Sequence, residues 1–259
     1  MLFTAHIDRP MGTYHPRHPD LYYPVNYGEI PGVIAADGDP QDVYVLGVEE
    51  PLMTFTGELI AVIRRRDDVE DKWVLAPQGV RFTAEEILAA VHFQEQYFDS
   101  YVVLGDSPLM IRRVDEALLD AALSIRMECL REVCGYGPEH AFAPEFIAET
   151  ADFLRTADQT TLLMMDADTP VACATLCYKR TIPTPGHPTG KRAHLMNVYT
   201  APHCRRRGLA KRLLTVLHRE AEKRGVTEIT LDATEEGRRL YESMGYAASD
   251  ECMYLDIGR

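Results

Sequence analysis

Apolar side chains along this chain recur with two periods. Over 42–48 (Asp-Val-Tyr-Val-Leu-Gly-Val), 57–63 (Gly-Glu-Leu-Ile-Ala-Val-Ile) and 72–76 (Lys-Trp-Val-Leu-Ala) they form short β-branched and aromatic runs. Gly- and Pro-rich stretches such as Ala35-Ala-Asp-Gly-Asp-Pro separate them, so these runs read as strands joined by turns. At Thr83-Ala-Glu-Glu the period changes. Thr83 followed three residues later by Glu86 is a capping box, and it opens a helix expected to reach residue 97. Short strands followed by a helix predict a small barrel or an α+β unit.

A break follows at 104–108, Leu-Gly-Asp-Ser-Pro. Beyond it the helical period dominates over 114–133, with Asp115-Glu116 suited to a first turn, and again over 144–155. Strands are expected at 161–165 and 171–179. Residues 181–189 hold three prolines and read as a loop. A strand at 193–199, a strong helix at 208–224 ended by Gly225, a strand at 228–232, a helix at 235–244 and a last strand at 252–257 complete the pattern. No internal repeat is visible. The reading is two domains, 1–103 and 104–259.

Composition fits this picture. The 259 residues are 46% hydrophobic and 26% charged. No apolar run approaches the ~18 residues that span a bilayer. The N-terminus lacks the basic start and apolar core of a signal peptide, so a soluble cytoplasmic protein is expected. The net charge of −13 is uneven: residues 1–103 carry 17 Asp/Glu against 7 Lys/Arg. That acidity argues against nucleic acid as a partner, because phosphate contacts need Lys and Arg. It suits cations, or simply a solvated surface. Of six cysteines, none forms a CxxC pair. Cys173 and Cys177 lie on one face of an apolar strand and read as small core residues. Reduced thiols agree with a cytoplasmic location.

Candidate chemistry is concentrated in three stretches. In Leu195-Met-Asn-Val-Tyr-Thr-Ala-Pro-His-Cys-Arg-Arg-Arg-Gly-Leu-Ala, a strand ends near Tyr199 and Arg205-Arg-Arg-Gly-Leu-Ala opens a helix. Free N–H groups and the positive dipole end of a first helical turn suit a diphosphate. Gly208 and Ala210 let phosphate oxygens approach the backbone, and Arg205, Arg206 and Arg207 add positive charge. Further on comes Thr234-Glu-Glu-Gly-Arg-Arg-Leu-Tyr-Glu-Ser-Met-Gly-Tyr. Together the two stretches resemble the GNAT family of N-acetyltransferases. Arg205-x-x-Gly208-x-Ala210 matches its coenzyme A motif, and Leu240-Tyr241-x-x-x-Gly245-Tyr246 its L-Y-x-x-x-G-F ending.

That resemblance implies an α/β fold whose mixed sheet splays between its fourth and fifth strands, with acetyl-CoA in the gap. Val198 and Tyr199 would face the acyl-pantetheine arm, and the amides of Arg206 to Ala210, including Leu209, the diphosphate. Tyr241 would protonate the departing thiolate. Thr234 stands where the family often has Asn. The acceptor would be a small-molecule amine, and GNAT proteins often form homodimers. The general base is open among His194, Glu128 and Glu132.

In the third stretch, Asp37, Asp39 and Asp42 fall within six residues across a Gly/Pro turn, with Asp67, Asp68, Glu70 and Asp71 further on. Hard oxygen donors on a tight loop suit Mg²⁺, and equally make a solvated turn. Asp37-Gly-Asp-Pro-Gln-Asp-Val, Tyr23-Pro-x-Asn-Tyr27-Gly and His92-Phe-x-x-x-Tyr97 resemble soluble family I inorganic pyrophosphatases. The resemblance implies an OB-like β-barrel with a helix. It makes Asp37, Asp39, Asp42, Asp67 and Glu70 (or Asp71) metal ligands, and Tyr23, Tyr27, Lys72 and Tyr97 contacts to phosphate. Pyrophosphate or another phosphoanhydride would be the substrate. The stretch departs from the family in length, in lacking early Glu and Lys positions, and in having Phe98 where the family has Lys. A metal-binding scaffold and an active hydrolase both remain open.

Overall fold

The structure is a computed structural model, and it describes residues 1–105, 108–249 and 253. The N-terminal part contains β1 (Leu2–Arg9), β2 (Tyr14–His15), β3 (His18–Tyr22), β4 (Asn26–Ile34), β5 (Pro40–Val45), β6 (Thr54–Arg65), β7 (Lys72–Ala76), α1 (Ala84–Glu95) and β8 (Ser100–Leu104). Strands β1, β6, β7, β5 and β4 pair in that order, and β1 also pairs with β4, which closes the barrel. Closure leaves no free edge among these five strands. The helix starts where the capping box places it: the Thr83 hydroxyl accepts from Glu86 N, and the Glu86 carboxylate accepts from Thr83 N.

After the break come β9 (Met110–Arg113), α2 (Leu119–Val133), α3 (Pro144–Thr156), β10 (Gln159–Asp166), β11 (Thr169–Arg180), β12 (Lys191–Thr200), α4 (Leu209–Lys223), β13 (Ile229–Leu231) and α5 (Glu235–Ser243). Strands β9 to β12 form an antiparallel ladder, and β13 joins β12 in parallel. Helix α2 covers one face of this sheet and α4 the other, each burying an apolar stripe. The expected closed barrel and the α/β fold with a mixed sheet are thus both present. The expected strand at 252–257 lies outside the described residues.

Strands β8 and β9 were not anticipated from the sequence. Their role is to join the two parts. Ile111 of β9 pairs with Ile34 of β4, so one sheet path runs from the barrel into the second fold. The barrel interior (Ala5, Val43, Val62, Trp73) packs in one cluster with Ile125 and Cys129 of α2 and Leu163 and Cys173 of the second sheet. Burial of this kind contributes roughly 25 cal/mol per Å² of apolar surface, so the two parts stabilise one another. The five described cysteines are free thiols. Cys173 is fully buried, whereas Cys177 is only half-buried, its sulfur 3.5 Å from Met196 Sδ.

Candidate functional site

The parallel pairing of β12 with β13 runs from Ala193↔Ile229 to Leu195↔Leu231 and then stops. Strand β12 continues to Thr200 with no partner on that side among the described residues, so the sheet opens between its fourth and fifth strands. A β-bulge sharpens the opening. The register between β11 and β12 shifts between Cys173 and Thr175, and Asn197 adopts φ 55° there. A bulge bends the strand and re-aims its neighbours. Val198 and Tyr199 follow directly.

At the end of β12 the chain makes a short 3-10 turn, Pro202–Cys204, and enters α4. Arg206 has φ 62° and Gly208 φ 76°. Two left-handed residues in so short a span turn successive N–H groups inward, which forms an anion-binding nest. Among the described residues, the amides of Arg206, Arg207, Gly208, Leu209 and Ala210 have no acceptor within the protein. A Cβ built on Gly208 would meet no atom within 4 Å, so the nest opens on free space. The residues therefore fit a diphosphate group.

Two of the three arginines are engaged away from this nest. Arg205 turns back: its Nε donates to Thr200 O at 2.9 Å, and its Nη2 lies 2.5 and 2.6 Å from the two oxygens of Glu132 on α2. Glu132 is thereby paired with Arg205, and the pair is exposed. Arg207 donates weakly to Cys204 Sγ and borders the space between α4 and the barrel. Thr234, expected at the coenzyme, caps α5 by accepting from Gly237 N at 3.2 Å.

Tyr241 lies on α5, half-buried against the same core cluster as Val198 and Leu231, with its ring edge-on to Tyr246. Burial, with a smaller contribution from the Cys129 thiol across the gap, pushes its pKa up. Among the described residues its phenol has no hydrogen-bond partner, while the neighbouring Tyr246 phenol is held 2.7 Å from His218 Nε2. His194 sits on β12 at the last paired turns before the opening. Its Nδ1 is 3.0 Å from Thr230 Oγ1, and its Nε2 is 3.8 Å from Asp232 Oδ2. Thr230 and Asp232 were missed by the sequence reading, since only the parallel pairing places them beside His194. Glu128 is exposed on α2, and after burial and Glu132 it adds to the rise of the Tyr199 pKa.

The barrel carboxylates take different places from those expected. Asp42 and Glu70 come together, but around Lys72: its Nζ bonds Asp42 Oδ2 and lies 2.5 Å from Glu70 Oε2. The Lys72 side chain is only 3% exposed. Burial pushes the Glu70 carboxyl pKa up, against the pull of Lys72. Asp37 Oδ1 accepts from Asp39 N at 3.0 Å and closes the turn. Asp39 pairs with Lys223 of α4, and Asp67 accepts from Asp99 N through both oxygens. Asp71 pairs with Arg64. No three carboxylate, His or Cys side chains converge on one point among the described residues. As folded, the set is a cradle for ammonium and does not fit a Mg²⁺ ion.

Of the residues expected to contact phosphate, Tyr23 and Tyr27 are buried in an aromatic cluster with Tyr44 and Phe93, where their rings supply apolar contact. Burial raises the Tyr27 phenol pKa far above the ordinary value, and the nearby Asp42 carboxylate adds to the rise. Tyr97 is 71% exposed on the other side of α1's end. Phe98, standing where a cation was expected, lies 3.6 Å under the Arg65 guanidinium and covers its pair with Glu95.

Comparison with known proteins agrees with this division. Residues 119–246 match the family described as acetyltransferase (GNAT) family, and residues 8–103 match inorganic pyrophosphatase. Among solved structures, a "predicted acetyltransferase with acetyl-CoA" from Clostridium acetobutylicum is 26% identical, with a TM-score of 0.51 over 56% of this chain and 94% of that one. A GCN5-related N-acetyltransferase from Ralstonia eutropha is 24% identical, with a TM-score of 0.47 over 58% of this chain and 100% of that one. Residues 119–246 of the chain are thus similar to GNAT acetyltransferases, and residues 8–103 to inorganic pyrophosphatases.

Proposed function

We propose that the chain transfers the acetyl group of acetyl-CoA to a primary amine of a small molecule, at the opening between β12 and β13. The observation that carries this reading is the nest of unpaired amides at Arg206 to Ala210, at the start of the helix that follows β12, in a domain that also holds the unengaged phenol of Tyr241 on α5. Backbone donors at a helix start hold a diphosphate without any side-chain charge. When bound, acetyl-CoA supplies an acyl group activated as a thioester.

The chain's own residues supply the proton movements. Thr230 Oγ1 can give its hydrogen to Ala193 O, at 3.4 Å, and so accept from His194 Nδ1–H. This tautomer leaves His194 Nε2 with its lone pair available to take a proton from the attacking ammonium. The charge so formed lies 3.8 Å from Asp232 Oδ2. Tyr241 keeps its proton at neutral pH, because burial raises its pKa, and its Oη can deliver that proton to a leaving thiolate. The carboxylates of Glu128 and Asp232 add negative charge around the acceptor's approach, which suits a cationic amine.

Two outcomes are expected. Calorimetric titration of the whole chain with acetyl-CoA gives saturable binding, and Gly208→Glu weakens it about tenfold or more. A carboxylate in the nest and strain at φ 76° together need supply only about 1.4 kcal/mol for that. Unaltered affinity would move the diphosphate elsewhere. His194→Gln keeps acetyl-CoA affinity and lowers kcat/KM for the amine about 10²-fold, the lower range for a general base. An unchanged pH–rate profile in that variant would hand the role to Glu128.

A further inference from the structure

The barrel loop that carries Asp37 and Asp39 faces the acetyltransferase domain. Helix α4 sets Arg212, Val216, Arg219 and Lys223 at spacings of three and four, which is one face of a helix. That face lies along residues 34–39. A Cβ on Gly38 would be 3.8 Å from Val216 Cγ1 and 3.9 Å from Arg219 Cβ. Arg219 Nη1 donates to Ala36 O at 2.7 Å, and Lys223 Nζ to Asp39 Oδ1 at 2.7 Å. The loop is shaped for this contact. Gly38 takes φ 87°, with Gly38 N bonded to Ala35 O at 3.0 Å and Ala35 N to Asp39 O at 2.8 Å. Ala36 O is thereby presented outward.

We propose that the Asp37–Asp42 loop is a latch that fastens the barrel to α4, and that ammonium groups of the chain itself, Lys72 on Asp42 and Glu70 and Lys223 on Asp39, stand in for divalent metal at these carboxylates. The latch acts on the helix whose first turn forms the diphosphate nest, so the barrel steadies the acyl-transfer domain and does not hydrolyse phosphoanhydrides. A metal ion would have to expel Lys72 from a pocket where its side chain is almost wholly buried, leaving an ammonium without its two carboxylates. Breaking a buried ion pair in that way is strongly unfavourable. The Lys223–Asp39 pair is exposed and by itself weak. The Arg219 bond to Ala36 O is charge-assisted, and with the Gly38–Val216 contact it sets the register.

The test uses the whole chain, because the two domains share a core. Titration with magnesium chloride in the calorimeter is expected to give heats of dilution only. A saturating isotherm that Asp42→Asn abolishes would overturn the proposal. In parallel, amide hydrogen exchange is followed over residues 34–42. Asp39→Lys and Lys223→Asp each speed exchange there several-fold, and the two together restore the slower rate. Restoration by the exchanged pair is an outcome that general destabilisation cannot give. Single variants that leave exchange unchanged would overturn the latch.

Discussion

Tyr241→Phe lowers kcat for amine acetylation about 10²-fold while leaving acetyl-CoA affinity nearly unchanged. The substitution removes one oxygen from a half-buried ring whose apolar packing against the core and against Tyr246 survives. That oxygen makes no hydrogen bond among the described residues, so no structural partner is orphaned by its loss. Burial holds its pKa above the ordinary phenol value. The donating form is therefore complete through neutral pH and is lost only as pH rises past that raised value. Tyr246 cannot replace it, since its phenol is committed to His218. Steady-state kinetics together with a binding titration separates the two parameters. A kcat equal to that of the unaltered protein would remove Tyr241 from the proton transfer.

Glu95→Ala destabilises the folded chain by about 3–5 kcal/mol, the cost of leaving a buried charge without its partner. Arg65 and Glu95 side chains are each 2% exposed, with Arg65 Nη2 2.7 Å from Glu95 Oε1 and Arg65 Nε 3.0 Å from Glu95 Oε2. Tyr44 and Ser100 hydroxyls donate to the same carboxylate, at 2.7 and 2.6 Å. Phe98 shields the pair from water. Removing the carboxylate strands two hydroxyls and leaves the buried guanidinium only Asp68, at 3.0 Å from its Nη1, and the more distant Glu70. Burial alone would push the Glu95 pKa up, but the bonds from Arg65, Ser100 and Tyr44 outweigh it and hold the value low. A carboxyl whose folded pKa is depressed contributes fully above the ordinary glutamate range, and that contribution is lost as pH falls through the lowered folded value. The unaltered protein is thus expected to lose stability in acid over that window, and Glu95→Ala to lose less. Denaturant unfolding at neutral and acid pH checks both. A midpoint within error of the unaltered protein at neutral pH would contradict the account.

What the sequence disclosed and what it hid divide along physical lines. Local signals were readable: the Thr83 capping box, Gly208 at a left-handed helix entry and Gly225 at the helix end each act within a few residues. The Arg205-x-x-Gly208-x-Ala210 stretch marked the nest because a helix start needs no distant partner to bind an anion. Side-chain destinations were not readable, because they depend on contacts far apart in sequence. Arg205 reaches Glu132, 73 positions away, and Lys223 reaches Asp39, 184 positions away. Asp232 meets His194 only through the parallel pairing of β12 and β13. The carboxylate motif at 37–42 predicted metal from residue type, whereas the folded chain brings Lys72 to the same oxygens. Strands β8 and β9 are short and half-exposed, so their apolar pattern is faint.

Release of the coenzyme thiol from acetyl-CoA by the whole chain, followed with a thiol reagent across a panel of primary amines, tests the central claim most directly. The account predicts release that depends on one class of amine, saturates with both substrates and falls about 10²-fold in Tyr241→Phe. Release that no amine accelerates, from a protein that binds acetyl-CoA tightly, would contradict it and leave a coenzyme-binding protein without transfer.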